Sequence, residues 1–397
     1  MQTKAMNRFL FYILCAIVLG GLTSCHDSED GPGGSDVTEK TIFVYMPWTA
    51  SEHSTANNLY GNFMDNIRDM EAAIGTQGGL GNNRMLVFIS KSAHYSALVE
   101  VKYRDGRCLR DTLKRYTDFD YTTAANLASI LRDVKSYAPA NIYDMLIGCH
   151  GSGWLPKGSN PAQTKSRAFG GATATYQTEI PTLADGIRQA GMHMQFISFD
   201  DCYMAAVEVA YDLKDVTDFL IASTSEIMAA GMPYKDIWRY ITPSEPDYGA
   251  IVDGFYNFYS AYVGPDGQPY PYGTLSVINC RQTENMAQIM QTINSRYTFD
   301  PTKLAAVQRL DGYSSAVFYD MGSYVRLLCS DATLLDSYLN AEQLLVPYKK
   351  ATQRIYSNYD IQYTDVLSFS GITISDPTQN PNVTTPLQNT AWYRATH

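Results

Sequence analysis

The sequence predicts an α/β protein with a mostly parallel sheet covered by helices on both faces, plus a C-terminal region of mixed structure. Three observations carry this expectation. Compact apolar runs of about six residues recur along the chain and read as buried strands. Stretches of ten or more residues with apolar positions at helical spacing separate them, the rhythm of a sheet built by crossovers. After Pro243 that rhythm loosens. In order, strands are expected at Thr41–Met46, Met85–Ser90, Tyr143–Cys149, Gln195–Asp200 and Phe219–Ala222. Helices are expected between and after them at Asn58–Ile74, Thr122–Tyr137, Thr182–Ala190 and Tyr203–Tyr211, with Gly191 ending the third. Beyond Pro243 follow a helix over Tyr248–Tyr262, a strand over Thr274–Ile278, a helix over Gln282–Tyr297 and a last apolar strand near Ser370–Ile374. The implied organisation is residues 1–24 as an export signal, 25–39 as a tether, 40–240 as the main α/β core and 241–397 as a subdomain packed on it.

The bulk numbers narrow the function classes. With 397 residues, 45% apolar and 18% charged, the chain is long enough to bury a core without disulfide staples. A formal net charge of -10 with no long basic run sets nucleic acid aside as a partner and suits a cationic substrate. A monomer is expected.

Lys4 and Arg8 precede a short apolar run from Phe9 to Leu22, the pattern of an export signal rather than a membrane span. Leu22-Thr23-Ser24-Cys25 resembles a bacterial lipoprotein cleavage box, which makes Cys25 the lipidated first residue and the membrane a partner through that anchor. An ordinary signal peptide with a chance cysteine is the alternative. The acidic cluster after Cys25 resembles the export tags of Bacteroidetes lipoproteins, and Gly31 to Ser35 reads as a flexible tether. The exported lipoprotein would face the outside or the periplasm at the outer membrane. Of the other cysteines, Cys15 leaves with the signal. The remaining five are odd in number and lack metal-ligand spacing, so at least one thiol stays free.

Working residues of open parallel sheets gather at the carboxyl ends of strands. One such end reads Gly148-Cys149-His150-Gly151-Ser152-Gly153-Trp154; the other reads Phe199-Asp200-Asp201-Cys202-Tyr203-Met204. A right-handed crossover between successive strands lays these ends side by side, so His150 can reach Cys202. A free thiol is only a few per cent ionised at neutral pH, and an imidazole can take its proton and later give one to a leaving amine. Main-chain N–H groups of Gly151 and Cys202 form the expected oxyanion hole, Cys202 standing at the start of the next helix. Asp200, two residues before Cys202 in extended chain, shares its face, whereas Asp201 points away and reads as a helix cap. Cys149 reads as a core thiol, and His53, His94 and His193 as structural or exposed. Trp154 either walls the pocket or covers the core.

His150-Gly151-x-Gly153-Trp154 followed by Asp200-x-Cys202-x-Met204 and Glu208 resembles the clostripain family of cysteine peptidases, whose fold is caspase-like. Ala222-Ser223-Thr224-Ser225-Glu226 with Gly231-x-Pro233-Tyr234, and Ser370-Gly371-Ile372-Thr373 with Ala391-Trp392-Tyr393, match further segments, so the resemblance runs from Thr41 onward. It implies cleavage of peptide or protein substrates after arginine or lysine, with Asp200 as the acid of the specificity pocket. Ser225 and Glu226 would help bind the substrate, though Glu226 could equally begin a solvent-facing helix. The resemblance also implies self-cleavage in the polar loop after Trp154, at Lys165 or Arg167, with an uncut loop as the alternative. No cofactor is indicated; calcium dependence, seen in clostripain itself, has no motif here. The rival reading is a surface lipoprotein that binds protein or glycan on an inactive peptidase scaffold. Against it, both catalytic residues, the glycine and the pocket acid are present together.

Overall fold

The computed structural model describes residues 37–158 and 169–397, and residues 37–397 cluster as one compact unit. Cys25, Lys165 and Arg167 lie outside the described residues. In chain order the strands are β1 (Thr38–Met46), β2 (Asn83–Ser92), β3 (Tyr95–Arg104), β4 (Arg107–Thr117), β5 (Ala140–Gly148), the short pair β6 (Phe169–Gly170) and β7 (Gln177–Thr178), β8 (Met194–Asp200), β9 (Thr217–Ala222) and β10 (Thr274–Asn279). They are followed by β11 (Tyr319–Asp320), β12 (Tyr348–Ala351), the hairpin β13 (Arg354–Tyr356) and β14 (Tyr363–Asp365), and β15 (Thr373–Ile374). The helices that matter for the site are α1 (Tyr60–Gln77), α2 (Ala124–Tyr137), α3 (Ile180–Gln189), α4 (Val207–Leu213), α5 (Tyr234–Ile241), α6 (Tyr248–Ser260) and α7 (Thr283–Asn294).

Nine strands form the central sheet in the order β12-β10-β9-β8-β5-β1-β2-β3-β4. The five central strands β9, β8, β5, β1 and β2 run parallel, with antiparallel β10 and β12 on one side and the β3–β4 hairpin on the other. Two of these strands, β10 and β12, come from beyond residue 241 and extend the same sheet. Side chains alternate across β1: Phe43 and Tyr45 join the core under α2, α3, α4 and α7, while Ile42, Val44 and Met46 join the core under α1, α5 and α6. Both faces are therefore covered by helices, which is why the parallel strands read as unbroken apolar runs.

At the foot of the sheet the Lys40 ammonium and Asp144 carboxylate meet at 2.8 Å, both fully buried. Lys40 Nζ also donates to Gln195 and to the carbonyl of Pro243, so its charge is satisfied from three sides.

The helix expected over Tyr203–Tyr211 starts four residues late, at Val207. Tyr203 takes a left-handed backbone, φ 65°. Its N–H donates to Ser225 O at 3.0 Å, the Ala205 N–H donates to Ser223 O at 2.8 Å, and Ala205 O accepts from Thr373 N at 2.9 Å. These non-local bonds satisfy the backbone in an extended course, so the segment has no need of a helical turn. Cys202 consequently stands in a loop, and the helix-dipole contribution expected for it falls away.

Candidate active site

Strand register sets the site. Gly148 on β5 pairs with Asp200 on β8, so continuing two residues along each strand brings His150 level with Cys202. Backbone proximity agrees: a Cβ added to Gly151 would lie 2.5 Å from Cys202 O and 2.9 Å from Cys202 N. Only glycine permits that approach. Gly153 has φ 61°, and a Cβ there would meet the Phe318 ring and Tyr203 O. Asp201 pins the two strand ends together. Its Oδ1 accepts from Cys149 N at 2.6 Å, and its Oδ2 accepts from Cys149 Sγ at 3.2 Å. It therefore caps no helix. Burial, first of all, holds its pKa well above the ordinary carboxylate value, and it holds the Cys149 thiol up likewise.

His150 and Cys202 line one open cleft of about 1120 Å³ together with Gly151, Asp200, Glu226, Asn358 and Tyr359, among others. Nε2 of His150 lies 2.8 Å from the carbonyl oxygen of Asn57. A carbonyl only accepts, so Nε2 carries the proton and, in the neutral ring, Nδ1 carries the lone pair. Asn57 has left-handed backbone, φ 64°; nothing in its sequence context marked it as an orienting group. The Cys202 sulfur accepts from Ile227 N at 3.4 Å. Burial pushes the Cys202 thiol up, the Glu226 charge adds to this, and the Ile227 amide opposes it.

Asp200 occupies the floor of the cleft, partly buried, with Oδ1 shielded and without a hydrogen-bond partner among the described residues. Burial raises its pKa from 3.8 to about 6, against the Met232 amide and Tyr234 hydroxyl, which favour the charged form. Gly231, with φ 72°, lets the chain pass over it; a Cβ there would strike the carboxylate at 2.6 Å.

Other expected site residues fall elsewhere. Ser225 is fully buried, its hydroxyl 3.1 Å from that of Thr274, so it stands beneath the cleft rather than in its lining. Glu226 does reach the cleft, but its oxygens accept from Tyr203, Ser357 and Asn358. Trp154 is buried and donates to Ser375 at 2.8 Å. His94 and His193 sit on surface carboxylates, Asp118 and Asp218. The five cysteines among the described residues are free thiols, and no cluster there could hold a metal ion.

A parallel sheet that presents a histidine loop and a cysteine loop at adjacent strand ends, in one open cleft, belongs to the class of cysteine peptidases with a caspase-like core. Comparison with known proteins agrees. The clostripain family model (peptidase family C11) matches residues 52–382, and the chain belongs to that family. A secreted C11 cysteine protease from Bacteroides thetaiotaomicron is 44% identical, covering 91% of this chain and 100% of its own, with a TM-score of 0.83. A clostripain from the same organism, solved with a peptide inhibitor, is 49% identical over 58% of this chain and 99% of its own, with a TM-score of 0.55. An inactive zymogen C11 protease from Parabacteroides distasonis shares the fold at 24% identity, covering 91% and 99% of the two chains, with a TM-score of 0.76. A search of curated proteins finds no match.

Proposed function

We propose that this cysteine peptidase is an endopeptidase cutting after lysine or arginine, with Cys202 as nucleophile, His150 as base and Asp200 as the acid that receives the basic side chain. The observation that carries the reading is the buried Asp200 carboxylate lining the cleft two residues from the thiol, held only by the neutral donors Met232 N–H and Tyr234 OH, with no cation of the protein paired to it among the described residues. A guanidinium or ammonium supplies the missing donor; an uncharged side chain leaves a carboxylate desolvated and unpaired. The 49%-identical clostripain supports this too, for its inhibitor is written BTN-VLTK-AOMK, with lysine last before the terminal group.

His150 Nδ1 takes the Cys202 proton as Sγ attacks the scissile carbonyl carbon. The oxyanion is met by the N–H groups of Gly151 and Cys202. His150 then returns the proton to the amine, which leaves, and Cys202 carries a thioester. Water, deprotonated by His150, attacks that thioester; the carboxylic product departs and the thiol is restored. Maturation by self-cleavage after Lys165 or Arg167, and export as a lipoprotein anchored through Cys25 at the outer membrane, complete the proposal.

The test uses fluorogenic peptides ending in arginine, lysine, aspartate or asparagine, with Cys202→Ala as control. Cleavage of the basic peptides alone, abolished in the control, is expected. Cleavage confined to the acidic or asparagine peptides would remove Asp200 from its role. Intact-mass measurement of the active protein reads the second part: an uncut 155–178 segment would overturn self-processing. Radiolabelled palmitate incorporated by the wild type and not by Cys25→Ser tests the anchor.

A further inference from the structure

Glu226 joins two parts of the cleft that are far apart in sequence. The strap Ser225–Ile227 touches the nucleophile segment at three points. Ser225 O accepts from Tyr203 N at 3.0 Å, Glu226 Oε1 accepts from Tyr203 OH at 2.9 Å, and Ile227 N donates to Cys202 Sγ at 3.4 Å. The same carboxylate also accepts from the Ser357 hydroxyl and from the Asn358 N–H at 3.0 Å. Those two residues open the turn of the β13–β14 hairpin, whose Asn358 and Tyr359 wall the cleft. Rings continue the linkage: Tyr359 lies 4.4 Å from Tyr313, Tyr313 6.0 Å from Tyr203, and Tyr203 stacks on Phe318 at 4.8 Å.

This arrangement is not that of a substrate ligand. The Glu226 oxygens are taken up by donors of the protein itself, and its charge opposes ionisation of the thiol beside it. A group that disfavours thiolate at the nucleophile must be there for another reason. Tyr203 supplies one: its left-handed backbone is costly for a bulky residue and persists only when its surroundings hold it. We infer that Glu226 is a positioning residue that clamps the hairpin wall to the nucleophile segment, so that the wall engaging the peptide and the Cys202 thiol are held in one geometry. The inference rests on Cys202 as nucleophile, proposed above.

The two ends of the clamp rest on different donors, the Tyr203 hydroxyl on one side and the Ser357 hydroxyl with the Asn358 N–H on the other, so each can be loosened separately. Steady-state kinetics on the chain from Val37 onward should separate them. Ser357→Ala loosens the wall, leaving only the Asn358 N–H bond to hold it, and should raise KM about fivefold, the worth of one hydrogen bond, with kcat within about twofold. Tyr203→Phe frees the nucleophile side and should lower kcat about fivefold, with KM within about twofold. Glu226→Ala should do both. Glu226→Gln keeps an accepting oxygen, so it should recover much of the Ala loss. The thiol faces Glu226, Asp201 and Asp200 among acidic groups, with His150 across the cleft. Removing the first charge with Gln should therefore move the pH profile of Cys202 alkylation by iodoacetamide to lower pH, read by mass on the Cys202 peptide. That arm needs no substrate and stays readable if the proposed specificity is wrong, whereas an active Cys202→Ala would remove the proposed nucleophile itself. Single variants that leave kcat and KM within twofold, or an Ala variant that lowers only the melting temperature, would overturn the clamp. A Gln variant whose alkylation profile superimposes on the wild type would do the same.

Discussion

Asp200 faces two opposing demands. Burial holds its pKa at about 6, above the 3.8 of an ordinary aspartate, so its charged form costs stability, and under the proposed function a basic side chain of the substrate would satisfy that charge. A carboxyl whose native pKa is raised contributes its stability at low pH and loses it as pH rises through the native value. At neutral pH the deficit is on the order of 3 kcal/mol. Asp200→Asn should therefore gain stability in urea unfolding at pH 7.5, with the gain vanishing near pH 4. The same variant should lose about a hundred- to a thousandfold in kcat/KM on peptides ending in lysine or arginine. A variant that lost stability at pH 7.5 would show that the carboxylate is already paired. Gly151 offers a second residue-scale expectation. Its missing Cβ is all that separates the histidine loop from Cys202 O. Gly151→Ala should abolish peptide cleavage and lower the melting temperature, both read on the same preparation.

Among the elements, the segment from Asp201 to Ala206 decides the site's geometry. Its composition allows a helix, and a helix was expected; bonds to residues 223–225 and to Thr373 draw it out instead. Asp201 is the hinge pin, with its oxygens on the N–H and sulfur of Cys149. Asp201→Ala should cost about 1–3 kcal/mol for a buried amide left without an acceptor, and should reduce kcat as the two strand ends part. Asp201→Asn retains an accepting oxygen and should be far milder, a contrast that denaturant unfolding of the two variants checks. The β3–β4 hairpin went unread although its signal was present. Asp105 and Gly106 both take positive φ, 53° and 78°, which is the two-residue turn that joins twisted antiparallel strands. Residues without an apolar run on the exposed edge strand β4 hid the pattern.

For the whole molecule, the Glu208 carboxylate ties the C-terminal segment to the core, with the buried Asp376 carboxyl close to it. Glu208, at the start of α4, accepts from Ser375 N at 2.8 Å. Burial first, then the Asp376 charge, raises its pKa to about 8, and burial raises that of Asp376 to about 7. Their native values exceed the ordinary 4.5 and 3.8, so their contribution is complete below pH 4 and is lost as pH rises through 7 to 8. The melting temperature should accordingly fall between pH 5 and pH 8, and Glu208→Gln should flatten that fall. An unchanged slope in the variant would assign the pH dependence to other groups. That His150, Gly151 and Cys202 stand together in one cleft was legible because strand ends, a glycine and a thiol in a motif are local signals. Asn57, Ile227 and Ser357 were not, since each acts through a contact made across 93 or more residues or through a backbone atom that any residue type carries.

By itself the sequence determined the alternation of strands and helices and the two strand ends that meet in the cleft, with Asp200 and Cys202 both in its lining. These follow from periodicity and spacing, which depend only on neighbours along the chain. Tertiary structure alone decided that Cys202 stands in an extended loop rather than at a helix start. It alone turned Asp201 inward to Cys149, sank Ser225 beneath the cleft and set Glu226 between the hairpin and the nucleophile. The physical reason is common to all four: each is fixed by hydrogen bonds between segments distant in sequence, and those bonds form only once the sheet has brought the segments together.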